Sequence, residues 1–372
     1  MSDLGQQIIQ RVLAKGNLPA LSTIAVRLMQ MAADDMVSVS ELAELISQDP
    51  GLATRLLRLV NSVAYRRGDE VASVQRAVAL LGLNEVRVLA LSVSLKDALP
   101  AKGGGHDYNL FWRTSLHRAI LARHGAAALG MPNPEEAFVA GLITEIGLPL
   151  LLRVLSPQEA EGFPGFEKSL RDQVVWAHRA LGVDHRQLGR AVLSFWGLPE
   201  VLHDSQRIIP PSTESSAPPM ALLCDFARRA AESFFAPGAD LEDVHRVAKL
   251  RFGWSAEEAN QLLFDSLSQA GEVAEAMEID LDQEHDIGAV LEKARQTIIE
   301  LRARMVGELR LGGPGRQQAF LQFKSRLLGL GGLARKLAEA LSGKEQTQAA
   351  EEELLRLDQA LAQIEAALAQ RA

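Results

Sequence analysis

His117 and His124 stand seven residues apart in FWRTSLHRAILARH. A helix would put both imidazoles on one face, where such a pair can supply half the ligands of a metal ion. No carboxylate stands four residues beyond either one, so they read as ordinary, partly exposed histidines. His178 and His185 share the spacing, but Gly182, Val183 and Asp184 break the helix between them, and no metal role is assigned there. Ser115 and His117 are two apart and point to different sides of a helix, which rules out a nucleophile and base pair. Asn61 and Ser62 have the chemistry to hold a ligand, yet Asn near a helix C-terminus more often satisfies backbone groups, and the structural role is adopted. Gly103, Gly104 and Gly105 lack the lysine and the strand-to-helix setting of a phosphate loop. Trp112, Trp176 and Trp196 belong to a helical core, because no basic cluster interleaves with them as stacking on bases requires; Arg66 and Arg67 are too short a run to signal nucleic acid.

The elements that carry these residues are short helices set off by turn chemistry. Ser38 and Glu41 have capping-box spacing ahead of ELAELISQDP, and Asp49-Pro50 ends that helix, since the residue before proline avoids the helical region. Leu52, Leu56, Leu59, Val60 and Val63 recur in steps of three and four, which predicts a core-facing helix over 51–63. Ser73 and Asn84 suit two further N-caps, with Gly82 a stop between them. AKGGGHD, residues 101–107, reads as a linker. Helices are expected over 109–129, 134–155, 167–181 and 184–195, then over 219–235, 240–252 and 256–278, with PPSTESSAPP at 210–219 a loop and Ser255 with Glu258 a second capping box.

At 372 residues the chain is long enough for two or three compact units. Its 47% hydrophobic and 23% charged residues exclude a wholly disordered chain. Aromatics are only 5%, with Ala and Leu abundant, so the fold class is all-α. A net charge of -8 opposes non-specific attraction to nucleic acid or to anionic lipid. The lone Cys224 and an N-terminus without a basic start and apolar core point to a reducing, cytoplasmic setting. No apolar stretch is read as reaching the roughly 18 residues that span a bilayer; VRVLALSVSL is interrupted by Arg87 and ends at Lys96.

The last third changes character. Ile287, Leu291, Ala294, Ile298, Leu301 and Met305 alternate steps of four and three, as do Phe320, Phe323, Leu327, Leu330, Ala334, Leu337 and Leu341, and then Leu354, Leu357, Leu361, Ile364 and Leu368. Narrow seams of this kind belong to helical bundles and coiled coils. Three antiparallel helices joined at 312–315 and near Gly343 are expected, with Gly329, Gly331 and Gly332 breaking the middle one. Packing within the chain covers only part of the last stripe on this reading, which makes it a candidate surface for a homodimer.

Several motifs resemble the HDOD domain family. NLPALSTIAVRLMQM is followed by VSVSELAELISQDPGLATRLLRLVNSVAY, which holds Asn61, Ser62 and Tyr65 in the family's Asn-Ser-x-x-Tyr signature, and then by SVQRAVALLGLNEVRVLAL. FWRTSLHRAILARH, EEAFVAGLITEIG and LGVDHRQLGRAVLSFWGLPE match the second half in order and spacing, and the resemblance covers about residues 17–280. It implies a multi-helical HDOD domain of two packed subdomains, 1–100 and an HD-like 106–280, followed by a C-terminal helical bundle or coiled-coil extension over 286–372.

Relatives with phosphohydrolase activity hold divalent metals with a His-Asp pair, a preceding His and later His or Asp residues, because imidazole and carboxylate together bind an ion that activates water. Here Thr114 stands at the upstream His, Thr144-Glu145 at the His-Asp pair and Leu148 at the lysine that often follows, while His185 matches a retained histidine and QRIIPP offers no later pair. The resemblance therefore implies a degenerate pocket of Thr114, Thr144, Glu145 and His185, with no catalytic residue, no metal and no cofactor. It also implies a non-enzymatic signalling module of bacteria acting on a protein partner, while the net charge of -8 leaves nucleic acid and membrane off its expected targets. A metal-dependent phosphohydrolase with unusual ligands and a coiled-coil scaffold with an inert HDOD domain are the alternatives.

Overall fold

Capping side chains start many of the helices in the structure, a computed structural model that describes residues 3–369 apart from 15, 20–22, 31–37, 64, 67, 100–101, 104–105, 210–216, 237–239, 312–315 and 342–344. The chain divides into two compact units. One comprises Met1–Glu232, Ala236–Gly238 and Gln269–Leu281; the other comprises Ser233–Phe235, Ala239–Ser268 and Asp282–Ala372. Residues 239–268 fall with the C-terminal helices in this division.

The first unit opens with α1 (Asp3–Leu13), α2 (Thr23–Gln30), α3 (Val39–Ser47), α4 (Pro50–Asn61), α5 (Val74–Leu81) and α6 (Leu83–Ala98). Ser38 and Glu41 form the expected reciprocal box at the start of α3, each accepting the other's backbone N–H. Asp49 caps α4 by accepting from Leu52 N at 3.0 Å, and Pro50 takes the first helical position, where its missing N–H costs nothing. Leu52, Leu56, Leu59 and Val60 are buried as the periodicity predicts, but α4 stops at Asn61 and Val63 is 62% exposed, so the core face ends earlier than expected. Asn84 is not a cap: Gly82, at φ 97°, ends α5, and α6 begins at the next residue with Asn84 inside it.

The segment read as a linker is a small antiparallel ladder, Lys102–Gly103 against His106–Asp107, in an otherwise helical fold. After it come α7 (Asn109–Ala128), α8 (Pro134–Ile143), α9 (Gly147–Val154), α10 (Leu170–Leu181), α11 (His185–Phe195), α12 (Glu200–His203) with the 3-10 turn Asp204–Gln206, and α13 (Pro219–Phe235). The single helix expected over 134–155 is thus two, broken by a turn at residues 144–146. Pro134–Val154 is also long and apolar enough to pass for a membrane span, against the reading that no such stretch exists, and 89% of its apolar 18-residue window is buried in the fold. Trp112 and Trp176 are core residues whose indole N–H groups donate to Leu99 O and Glu161 O. The loop expected at 210–219 lies mostly outside the described residues.

In the second unit, α14 (Leu241–Phe252) and the first part of α15 (Ala256–Ala276) fall with α16 (Gln283–Leu311), α17 (Arg316–Ala340) and α18 (Glu345–Ala369). The last three form a helical bundle in which Leu301, Met305, Leu327, Leu337, Leu354, Leu357 and Leu361 are buried. Leu354, Leu357 and Leu361 of the α18 stripe are buried in the bundle, and a Cβ on Gly331 would lie 3.3 Å from Leu357 Cδ2 and 3.6 Å from Leu354 Cδ2. One expectation changes here. The three glycines do not break α17: Gly329 O accepts from Asn260 Nδ2 at 2.8 Å, and a Cβ on Gly332 would lie 3.1 Å from that nitrogen. They let neighbours approach closely, which offsets their poor helix propensity. The joints at 312–315 and Gly343 lie outside the described residues.

Candidate functional site

Two glycines bring the candidate residues together. A Cβ on Gly141 in α8 would lie 2.6 Å from Arg118 O on α7, and one on Gly147 would lie 1.9 Å from His185 O on α11. Only hydrogen fits at either place, so α8 presses on α7 and the start of α9 presses on the start of α11. The turn at residues 144–146 between these contacts projects Glu145 inward. Asp184 caps α11 by accepting from Arg186 N at 2.8 Å, which places His185 and Arg186 in its first turn, opposite Glu145.

The result is a buried ionic cluster. Glu145 is 1% exposed; its Oε1 accepts from Arg186 Nη2 at 2.5 Å, and its Oε2 accepts from Arg186 Nε at 3.0 Å and pairs with His185 Nε2 at 2.5 Å. Arg186 Nη1 continues to Ser205 O at 2.6 Å. Burial opposes ionisation of Glu145, but the positive charge of Arg186, with His185 and Arg118, wins and holds the carboxyl well below the usual carboxylate range. Thr144 is fully buried and donates to Ala140 O at 2.7 Å. Burial pushes the nearby Cys224 thiol up to about 12 against the opposing hydrogen bond with Thr144, which leaves it protonated and inert as a nucleophile.

Of the four pocket residues read from sequence, Glu145 and His185 meet, while Thr144 spends its hydroxyl on Ala140 O. Thr114 turns its hydroxyl to Leu110 O in its own helix at 2.9 Å, and the α7 residue whose charge acts on Glu145 is Arg118, one turn further on. Sequence reasoning missed Arg186, Arg118 and the α13 charges. Asp225 is held by Arg228 and Arg229 at 2.8 and 2.9 Å, and Glu232 by Arg228 at 3.0 Å. The one available signal was a basic residue beside the retained His185, in the sequence DHRQLG.

The signature residues lie elsewhere in the same unit. Asn61 bonds the backbone of Val71 in both directions, Ser62 Oγ donates to Leu59 O at 2.7 Å, and Tyr65 lies under the Arg123 guanidinium, 4.1 Å from its ring centre. Burial drives the Tyr65 hydroxyl far above its ordinary pKa, so it stays neutral. Among the described residues no group of three or more His, Cys, Asp or Glu side chains is placed to hold a metal ion.

Comparison with known proteins places this geometry in context. The model of the HDOD domain family matches residues 18–209. The chain is 28% identical over 119 residues to the uncharacterized protein YuxH of Bacillus subtilis, covering 32% of this chain and 29% of that protein. It is 25% identical over 121 residues to the cyclic di-GMP phosphodiesterase CdgJ of Vibrio cholerae, covering 32% of this chain and 27% of that one. The chain thus spans less than a third of the length of these two relatives. An HDOD domain protein of unknown function from Geobacter sulfurreducens has a similar fold, with a TM-score of 0.56 at 22% identity over 75% of this chain and 98% of that one.

Proposed function

We propose that this chain, which belongs to the HDOD domain family, is a non-enzymatic, cytoplasmic regulatory module of bacterial signal transduction that acts through protein–protein contacts. One observation carries the reading: both carboxylate oxygens of Glu145 are engaged by the Arg186 guanidinium, with His185 on the same carboxylate. A divalent ion would have to displace that internal cation, and its remaining ligands would be a threonine and one imidazole, a set too poor to hold it. The residues present do not fit a catalytic metal. What the HD-like arrangement retains is a rigid, charge-balanced link between α9 and α11, suited to presenting a surface rather than turning over a phosphodiester.

The second reading, a phosphohydrolase with unusual ligands, draws support from His185 and Glu145 still meeting and from the name of the Vibrio cholerae relative. Elemental analysis and a phosphodiester hydrolysis assay with added divalent metals separate the two. The regulatory reading expects neither stoichiometric metal nor turnover; metal retention together with turnover, both lost in Glu145→Ala, overturns it.

A further inference from the structure

Among the described residues every buried carboxylate of the cluster has its cation, but one buried cation of the cluster has no carboxylate within ion-pair distance. Glu145 pairs with Arg186, Asp225 with Arg228 and Arg229, and Glu232 with Arg228. Arg118 is 4% exposed. Among the described residues its guanidinium finds Ser115 Oγ as a hydrogen-bond acceptor at 2.5 Å and the Phe111 ring at 5.7 Å, and its Nε has no partner. The charges that act on it are Glu145, already neutralised, the like charges Arg186 and Arg228, and Glu232.

Two more polar atoms are left open around the same turn. His185 Nδ1 is buried without a partner, on the imidazole whose other nitrogen holds Glu145. Gln206 Oε1 is also buried without a partner, while its Nε2 donates to Ile143 O, just before Thr144. Native interiors pair nearly all such atoms, and exceptions on residues of one charge and hydrogen-bond network call for a water, ion or ligand. An unpaired buried guanidinium calls for an anion, and an open amide oxygen calls for a donor.

From this grouping we infer that the remnant HD-like pocket is a binding site for a small oxyanion of the phosphate type, with Arg118 as its cationic anchor. A hydrogen phosphate accepts from the guanidinium and has an O–H to offer Gln206, whereas chloride and a carboxylate can accept but have no O–H to offer. Burial lowers the Arg118 pKa to about 10, which keeps it charged at neutral pH and ready for an anion. The inference rests on the regulatory reading, in which the pocket senses rather than hydrolyses.

The test is thermal unfolding of the full chain in increasing inorganic phosphate, with sodium chloride, sulfate and acetate at matched ionic strength. Phosphate is expected to raise the midpoint saturably, as a ligand of the folded state does, and by more than any of the other salts. Arg118→Met should lose that rise while keeping or raising its own phosphate-free midpoint, because it removes an uncompensated buried charge. If Arg118→Met does not fold, Arg118→Lys, which keeps the charge but loses Nε, should bind phosphate at least about tenfold more weakly. A wild-type response equal in phosphate and chloride overturns the inference, as does an unchanged phosphate response in either variant. Metal-dependent hydrolysis measured on the same protein would overturn the regulatory reading while leaving the anion site standing; a missing phosphate response does the reverse.

Discussion

Asn61 and Val71 exchange two hydrogen bonds: Nδ2 donates to Val71 O at 2.9 Å, and Oδ1 accepts from Val71 N at 2.8 Å. The amide thus acts as a piece of backbone and closes the turn that follows α4. Asn61→Ala is expected to lower stability by about 1–3 kcal/mol, the cost of leaving buried partners unsatisfied. A fall in the urea midpoint at constant slope would show it. An unchanged midpoint with lost partner binding would make Asn61 a recognition residue instead.

Glu145→Gln strands the Arg186 charge in the interior and should cost about 3–5 kcal/mol. The double variant Glu145→Leu with Arg186→Met removes both charges and should recover most of that loss, since apolar replacement of a buried pair is often neutral. Urea titrations of the single and double variants decide the matter. Equal losses in both would mean that the pair itself, rather than its balance, holds the fold.

The same pair predicts a pH dependence. The folded Glu145 carboxyl titrates well below its ordinary value of 4.5, through the positive charge around it and despite its burial. The unfolded chain therefore binds the proton first, so the stabilisation is complete above that ordinary value and is lost as pH falls below it. The stability gap between wild type and Glu145→Gln should be constant near neutrality and narrow steadily in acid. A gap that does not change with pH would refute the assignment.

The caps at Ser38, Ser73 and Ser255 and the apolar seams of the C-terminal helices were legible in the sequence because they act over three or four residues. The break at residues 144–146 was not, since apolar runs flank Thr144 and Glu145 on both sides in AFVAGLITEIGLPLLLRV, and the close approach of α11 at Gly147 is a contact distant in sequence. Arg186 escaped notice for the same reason: its partner lies 41 residues away. Gly147→Ala tests this directly, because its methyl would collide with His185 O. It is expected to cost about 3 kcal/mol, the upper end for overpacking, read as a lowered thermal midpoint. A midpoint like that of wild type would mean that α9 and α11 can part without penalty.

The C-terminal bundle sets the direction of an oligomerisation test. Leu354, Leu357 and Leu361 on α18 are buried, Arg302 on α16 reaches Glu353 at 2.9 Å, and Arg335 on α17 reaches Asp358 at 2.9 Å. Over Leu354 to Leu361 helix α18 therefore acts as a cover for α16 and α17. Removing residues 345–372 uncovers the apolar faces around Leu327, Leu330 and Leu337, and exposed apolar patches of that kind drive association. Light scattering at equal concentration should show the shortened chain larger in its assemblies than the full-length protein, with a second-unit unfolding transition that is weakened or lost. A full-length dimer that dissociates on this truncation would show that α18 pairs between copies, and the covering role argued from Leu357 would have to be abandoned.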